Sequence, residues 1–530
     1  MRIRASALAL AWFALTGPPA TAQDADAWRR AGREALARAQ TLQPSSGKAK
    51  NLILFIGDGM GISTVTAARI LEGQLRGKSG EENWLSFERL PYTALVKTYN
   101  TDQQVADSAA SMTAIVTGVK TRAGLVSLGP AALRGEHAGA DKHRLETILE
   151  QAEDRGLSTG VVTTSTVTHA TPAATYAHAP ERGWEDDARL PAAARAAGFP
   201  DIARQLVEFA HGDGLEVALG GGRKHFLPET AADPETKRET GARQDGRNLV
   251  AEWTARGAKS RYVWNRAQLV AIDPAETDHL LGLFEPSHMH FEADRGGDEA
   301  GEPSLSEMTA AAIDILSRNP RGFVLVAEAG RIDHAHHLGN AYRALTDTIE
   351  LSRAVQTALE RTDPAETLVV VTSDHDHVLS MAGYPTRGNA ILGKVMENDP
   401  RGGPVPKLAL DASGRPYTTL GYQNGPGHVG ASAEQPEGPK RFPHRATEFR
   451  GITRGRPDLT DVDTSDPDYL QESAVPLRSE THGGQDVPVY ATGPGAHLFH
   501  GVQEQSYLYY AMAEALGWNR SSGFLDWLFR

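Results

Sequence analysis

Apolar residues recur along the chain in short unbroken runs, each ending abruptly in polar residues. The first is "NLILFIG" (51–57), followed by Asp-Gly. "LSTGVVTTSTVTHAT" (157–171), "RGFVLVAEAG" (321–330), "TLVVVTSDHDH" (367–377) and "VPVYATGPG" (487–495) repeat the design. Runs that are apolar throughout and rich in β-branched residues predict strands covered on both faces. Between them the apolar positions take a helical period. In "HRLETILEQAEDRG" they fall at 145, 148, 149 and 152, with Gly156 as a stop signal. "LSEMTAAAIDILSRNP" and "YRALTDTIELSRAVQTALE" behave alike, and a charged helix is predicted over 24–42. This alternation predicts an α/β fold with a mainly parallel central sheet flanked by helices on both faces. Ligands of such sheets bind at the carboxyl ends of the strands, where Asp58, Thr171, Glu328 and Asp374 all fall.

Two stretches break the pattern. Residues 385–475 are rich in Pro, Gly and short β-like runs and predict an insertion domain. Residues 222–303 are heterogeneous and charge-rich, and predict a second, smaller insertion. The α/β body is then 23–384 plus 476–530. At the amino end, Arg2 and Arg4 precede an apolar stretch, Ala5–Leu15, that is too short for a bilayer. Ala20-Thr21-Ala22 fits a cleavage pattern, so residues 1–22 predict a signal peptide and export to a periplasm or beyond the cell. No later run has the length of a membrane span, and the last residues lack the hydrophobic tail of a lipid-anchor signal.

Composition narrows the partners. The 530 residues carry a formal charge of −13, which argues against nucleic acid or an anionic membrane as the main partner. An anionic substrate must therefore be drawn in by local positive charge. There is no cysteine, so any metal is held by imidazole and carboxylate.

Such ligands crowd at the strand ends. "RIDHAHH" (331–337) puts Asp333 and His337 at i, i+4 on one helical face. Glu328 lies just upstream, "SDHDH" supplies Asp374, His375 and His377, "GDGMG" supplies Asp58, and "ETHGG" supplies His482. The Gly-rich "GDGMG" lacks the lysine of a nucleotide-binding loop. The donors exceed one four-ligand zinc site, and suit two zinc-like ions plus one harder, oxygen-bound ion. Paired metals clamp the attacking and leaving oxygens of a phosphoryl group, so the residues point to phosphoryl or sulfuryl transfer. In "VADSAASMTAIVTG", Asp107 and Ser108 sit where a helix should begin. Both suit a helix N-cap, and Ser108 is also the candidate nucleophile.

The blocks "FIGDGMG", "DSAASMTAIVTGVKT", "HATPAATYAH", "EAGRIDHAHH", "SDHDHVLSMAGYPTRG" and "ETHGGQDVPVYATGPGAHLFHGVQEQ" resemble, in order, those of alkaline phosphatase, and more its animal branch than the enterobacterial one. The resemblance runs from about 28 to 518. It implies a phosphate monoesterase of broad range and alkaline optimum, working through a phosphoseryl intermediate on Ser108 and inhibited by its product, inorganic phosphate. It further implies one zinc on Asp333, His337 and His482, a second on Asp58, Asp374 and His375, and a magnesium shared by Asp58, Thr171 and Glu328. Arg182 would grip the phosphate with its planar fork. His169, His334 and His377 would stand behind these ligands, and His336 would be structural. A calcium on Glu235, the Phe284 carbonyl, Glu285 and Glu302 is implied by the animal branch, though aspartate is usual at the last position. Tyr384 matches a tyrosine that crosses a homodimer interface. A phosphodiesterase or sulfatase on the same scaffold is the alternative: the former commonly uses threonine, and the latter needs a motif absent here.

Overall fold

The computed structural model describes residues 25–45 and 47–518, so the expected signal peptide lies outside the described residues. Ten strands form one central sheet: β1 Asn51–Gly57, β2 Tyr92–Lys97, β3 Ser158–Thr166, β4 Val217–Gly221, β5 Ser260–Val263, β6 His279–Leu283, β7 Phe323–Ala329, β8 Thr367–Thr372, β9 Val487–Thr492 and β10 Gly501–Glu504. Their spatial order is β10-β2-β9-β8-β1-β7-β3-β4-β6-β5. All pairings are parallel except those of β9, which runs antiparallel to β2 and β8.

Alternation along each strand divides the core. Leu52, Leu54 and Ile56 of β1 enter one hydrophobic layer with Val324 and Val326 of β7, while Ile53 and Phe55 enter the other with Leu325 and Ala327. The first layer is closed by α3 (Ser108–Thr117) and α4 (Ile148–Asp154). The second is closed by α2 (Ile62–Leu75), α5 (Leu305–Leu316) and α7 (Ala341–Arg361). Each fully buried Leu, Ile or Phe contributes about 1.5–3 kcal/mol, which is why β1, β7 and β8 are apolar through their middles. Helix α4 starts at Ile148, three residues after the first position of its apolar period, Leu145. Thr147 caps it in a reciprocal box with Glu150, which fixes the first turn there.

Register aligns the strand ends. Ile56 lies opposite Glu328 on one side and Thr372 on the other, so Asp58, Glu328 and Asp374 emerge side by side. The stretch 222–303 differs from expectation, since β5 and β6 extend the central sheet at its edge rather than forming a separate unit. Four- and five-residue strands between charged loops leave little periodicity to read. Residues 385–475 contain short elements: Met396–Asn398 pairs with Pro404–Leu408, and Lys440–Arg441 pairs with Tyr469–Leu470. Leu420–Gly425 joins Leu379–Met381 and Ser473–Pro476 in a three-stranded sheet beside them. Among the described residues no helix is long and apolar enough to cross a membrane.

Candidate active site

Beyond β1 the chain turns through Gly59 (φ +68°), where a Cβ would stand 2.3 Å from the His377 ring. Only glycine lets the turn pass so close. Asp58, fully buried, then meets Asp374 and His375: His375 Nε2 lies 3.4 Å from Asp58 Oδ1 and 3.3 Å from Asp374 Oδ2. The Gly59 amide and the Ser111 hydroxyl donate to Asp374 and aim it. Ser108 opens α3 with its hydroxyl 3.2 Å from His375 Nε2. Asp107 caps that helix by accepting from the amides of Ala109 and Ala110.

A second cluster adjoins the first. The helical spacing expected for "RIDHAHH" is realised in α6 (Arg331–His337), where His337 Nε2 is 3.3 Å from Asp333 Oδ1. His482 Nε2 reaches the same oxygen at 3.3 Å and His337 Nε2 at 3.2 Å. His377 adds a contact of 2.8 Å to Asp333, with its other nitrogen 2.5 Å from Glu480. Burial would lower the His377 pKa, but Glu480 and Asp333 outweigh it and push it up to about 10. His375 and His337 are instead held down by burial, as neutral imidazoles suited to metal.

The third cluster gathers Asp58, Glu328 and His169, with Thr171 beside Glu328. Thr163 and Ser165 donate to Glu328 Oε2. Arg182 reaches over this side, 3.3 Å from Asp107 Oδ2 and 3.2 Å from His169 Nε2. His334 turns away from His337 and packs among His169 and His288, with Arg331 donating to its Nδ1. His336 bonds Thr64 and Tyr422 in the core.

The cavity asks for cations. Asp58 Oδ1 and Oδ2, Thr171 Oγ1 and Glu328 Oε1 are buried and have no hydrogen-bond partner, an arrangement that costs several kcal/mol unless something positive meets it. Burial and neighbouring carboxylates raise the pKa of Asp58 and Asp374 above the usual range, and burial takes Glu328 to about 7. Burial would also raise Asp333, but His337 and His377 hold it well below. Mixed nitrogen–oxygen sets fit zinc and the oxygen-rich set fits magnesium.

The calcium set is met in part. Glu285 and Glu302 meet around His290, and burial with Glu235 and Glu302 pushes Glu285 to about 8. Arg223, however, binds Glu235 and donates to the Phe284 carbonyl. Tyr384 stands 93% exposed. Sequence reasoning gave no role to Glu480, His288 or Arg331: Glu480 and Arg331 open the stretches "ETHGG" and "RIDHAHH", where the neighbouring histidines and aspartate drew the reading, and His288 lies outside any apolar run.

A family model described as alkaline phosphatase matches residues 49–518. The chain belongs to the alkaline phosphatase family. It is 44% identical to the alkaline phosphatase of Gadus morhua over 501 residues, covering 93% of this chain and 98% of that one. Identity to the tissue-nonspecific isozyme of Gallus gallus is also 44%, over 512 residues, 95% of this chain and 92% of the relative. These support the resemblance to the animal branch. Among solved structures, the alkaline phosphatase of Thermus thermophilus is 27% identical with a TM-score of 0.61, covering 90% of this chain and 93% of its own. That of the Antarctic bacterium TAB5, at 22% identity and a TM-score of 0.57, shares the fold over 89% of this chain and 100% of its own. The chain is a phosphatase that hydrolyses phosphate monoesters, and its family implies metal cofactors.

Proposed function

We propose that Ser108 is the nucleophile of this hydrolysis, serving in a cavity built for two zinc ions and one magnesium. The observation that carries this is the Ser108 hydroxyl at the start of α3, 3.2 Å from His375 and beside carboxylate oxygens that lack partners. Asp333, His337 and His482 would hold one zinc, Asp58, Asp374 and His375 the other, and Asp58, Thr171 and Glu328 the magnesium. Bound there, these ions would lower the pKa of the serine hydroxyl and of a water and would balance charge on the phosphoryl oxygens. The residues do the rest. Ser108 Oγ attacks phosphorus in line and the ester oxygen leaves as alcohol, giving phosphoserine; water then releases inorganic phosphate and restores the hydroxyl. The amino end of α3 stabilises negative charge on Oγ. Arg182, oriented by Asp107, offers two parallel donors to the phosphoryl oxygens, and its own position is favoured for a dianion.

The alcohol side meets no equivalent grip, which favours a broad substrate range. A calcium at Glu285 and Glu302 would need Arg223 to release Glu235 and the Phe284 carbonyl. A homodimer is favoured by the exposed Tyr384 ring, and export by the signal-peptide pattern of residues 1–22. The test is kcat/KM for an aryl phosphate, its methyl diester and the aryl sulfate, after chelation and after zinc and magnesium are restored. A monoester preference lost on chelation and regained only with both metals is the expected result. A preference for diester or sulfate would overturn the role given to Arg182.

A further inference from the structure

A group of carboxylates lies at the opposite end of the sheet from the active site. Glu153 ends α4, Glu216 immediately precedes β4, and Asp213 sits on the loop between that helix layer and the strand. One oxygen from each lies within 4.8 Å of the others. Thr159, second residue of β3, donates its hydroxyl to Glu153 Oε1 at 2.5 Å and its amide to Glu216 Oε2 at 2.6 Å. That leaves Glu153 Oε2. It is fully enclosed on a residue only 2% exposed, and it has no hydrogen-bond partner. It faces the Asp213 loop so closely that a Cβ on Gly212 would stand 2.2 Å from it.

The charges around this oxygen do not balance. Arg256 is the neighbouring cation, but it donates to the Asp213 carbonyl and lies over the Trp253 ring. His211 is paired with Asp154 and Glu150 instead. Ionised together, the three carboxylates would outnumber the one guanidinium by two charges. Burial and the Glu216 carboxylate push Glu153 up to about 9, and burial takes Glu216 to about 7. Oxygens around one calcium ion lie up to about 5 Å apart, twice the usual bond length, which suits the spacing here. Magnesium demands a tighter octahedron than an exposed loop carboxylate provides.

We propose that Glu153, Glu216 and Asp213 form a calcium site that clamps α4 to the amino ends of β3 and β4. It is separate from the catalytic cavity and from the Glu285–Glu302 pair, both of which lie at the carboxyl ends of the strands. The exposed Asp213 is the ligand that can be removed without disturbing the core.

Equilibrium dialysis with radioactive calcium on the full chain, loaded with zinc and magnesium, tests this. Asp213→Asn should bind one calcium fewer than the unmodified protein, or bind it at least about tenfold more weakly, with phosphatase activity unchanged. Glu285→Gln should keep this ion. Calcium should raise the Tm of the unmodified protein, and Glu153→Gln, which folds with the same shape, should abolish that part of the rise that Glu285→Gln leaves intact. Equal calcium stoichiometry and affinity in Asp213→Asn and the unmodified protein would overturn the proposal, and so would no calcium bound at all. Either result would mean that Glu153 and Glu216 share a proton rather than a cation.

Discussion

At the scale of residues, Glu480 governs two of the three imidazoles that face Asp333. Its carboxylate takes the Nδ1 proton of His377 and the amide of Val378, while its carbonyl takes the Nδ1 proton of His337 at 2.6 Å. His482 is fixed in the same way, donating Nδ1–H to the Ala106 carbonyl. With Nδ1 protonated, Nε2 of His337 and His482 is the lone-pair nitrogen that faces the cavity. Glu480→Gln keeps the carbonyl on His337 but takes the carboxylate from His377, which aims Asp333; it should therefore loosen the zinc proposed at Asp333 by about 10–100-fold, the usual effect of losing such a support. Competition against a chromogenic chelator reads the change, and an unaltered zinc affinity would remove Glu480 from this role. Ser108→Ala acts on a different quantity. It should leave the metal content intact and lower kcat by several powers of ten, because the attacking atom is gone while its surroundings remain. A variant with near-normal turnover would show that another group attacks.

Elements decide how those residues arrive. Helix α3 carries its first residue into the cavity only because Asp107 ends the preceding extended chain and caps the helix; the same carboxylate receives the Gly124 amide and one Arg182 nitrogen. Asp107→Ala should lower stability by about 1 kcal/mol through the lost cap. It should also untether Arg182, so that KM and the inhibition constant of phosphate rise together. If the stability falls and phosphate inhibition does not move, Asp107 is a cap and nothing more. How far such elements were legible depended on burial. The runs of β1, β3, β7, β8 and β9 were readable because both faces are covered, and α5 and α7 because their apolar stripe spans several turns. β2 alternates exposed and buried positions, β4 and β6 contain glycine, and β10 is four residues at an edge, so none announced itself. The carboxylates and imidazoles at 58, 328, 333, 337, 374 and 375 were legible as polar breaks after apolar runs or as a helical spacing, whereas His482 stands ahead of its run. Glu480 and Asp376 were not legible. They act across the two-residue pairing of Asp376–His377 with His482–Gly483, which joins segments about a hundred residues apart and has no local pattern.

Across the whole molecule, the central sheet gathers carboxylates that its own hydrogen bonds do not neutralise, and this ties stability to metal and pH. In the metal-free protein, Asp58 and Asp374 have pKa values raised by burial and by one another or Asp333, and Glu328 titrates at about 7. A carboxyl whose folded pKa is raised above the unfolded value near 4 contributes stability that is fully present below about pH 4. That contribution is lost as pH climbs through the folded pKa, because the fold then has to carry an unpaired buried charge. Bound cations reverse the sign by keeping the same carboxylates ionised at little cost. The Tm difference between metal-loaded and chelated protein should therefore widen between about pH 5 and pH 8, by several degrees. Groups remote from the cavity, such as Glu153 and Glu216, titrate in both forms and drop out of the difference when calcium is absent from both. Differential scanning fluorimetry of the two forms at stepped pH measures it directly. A gap independent of pH would mean that the carboxylates are already relieved without metal, by water or by rearrangement of the strand ends, and that the cavity is not held open against its own charge.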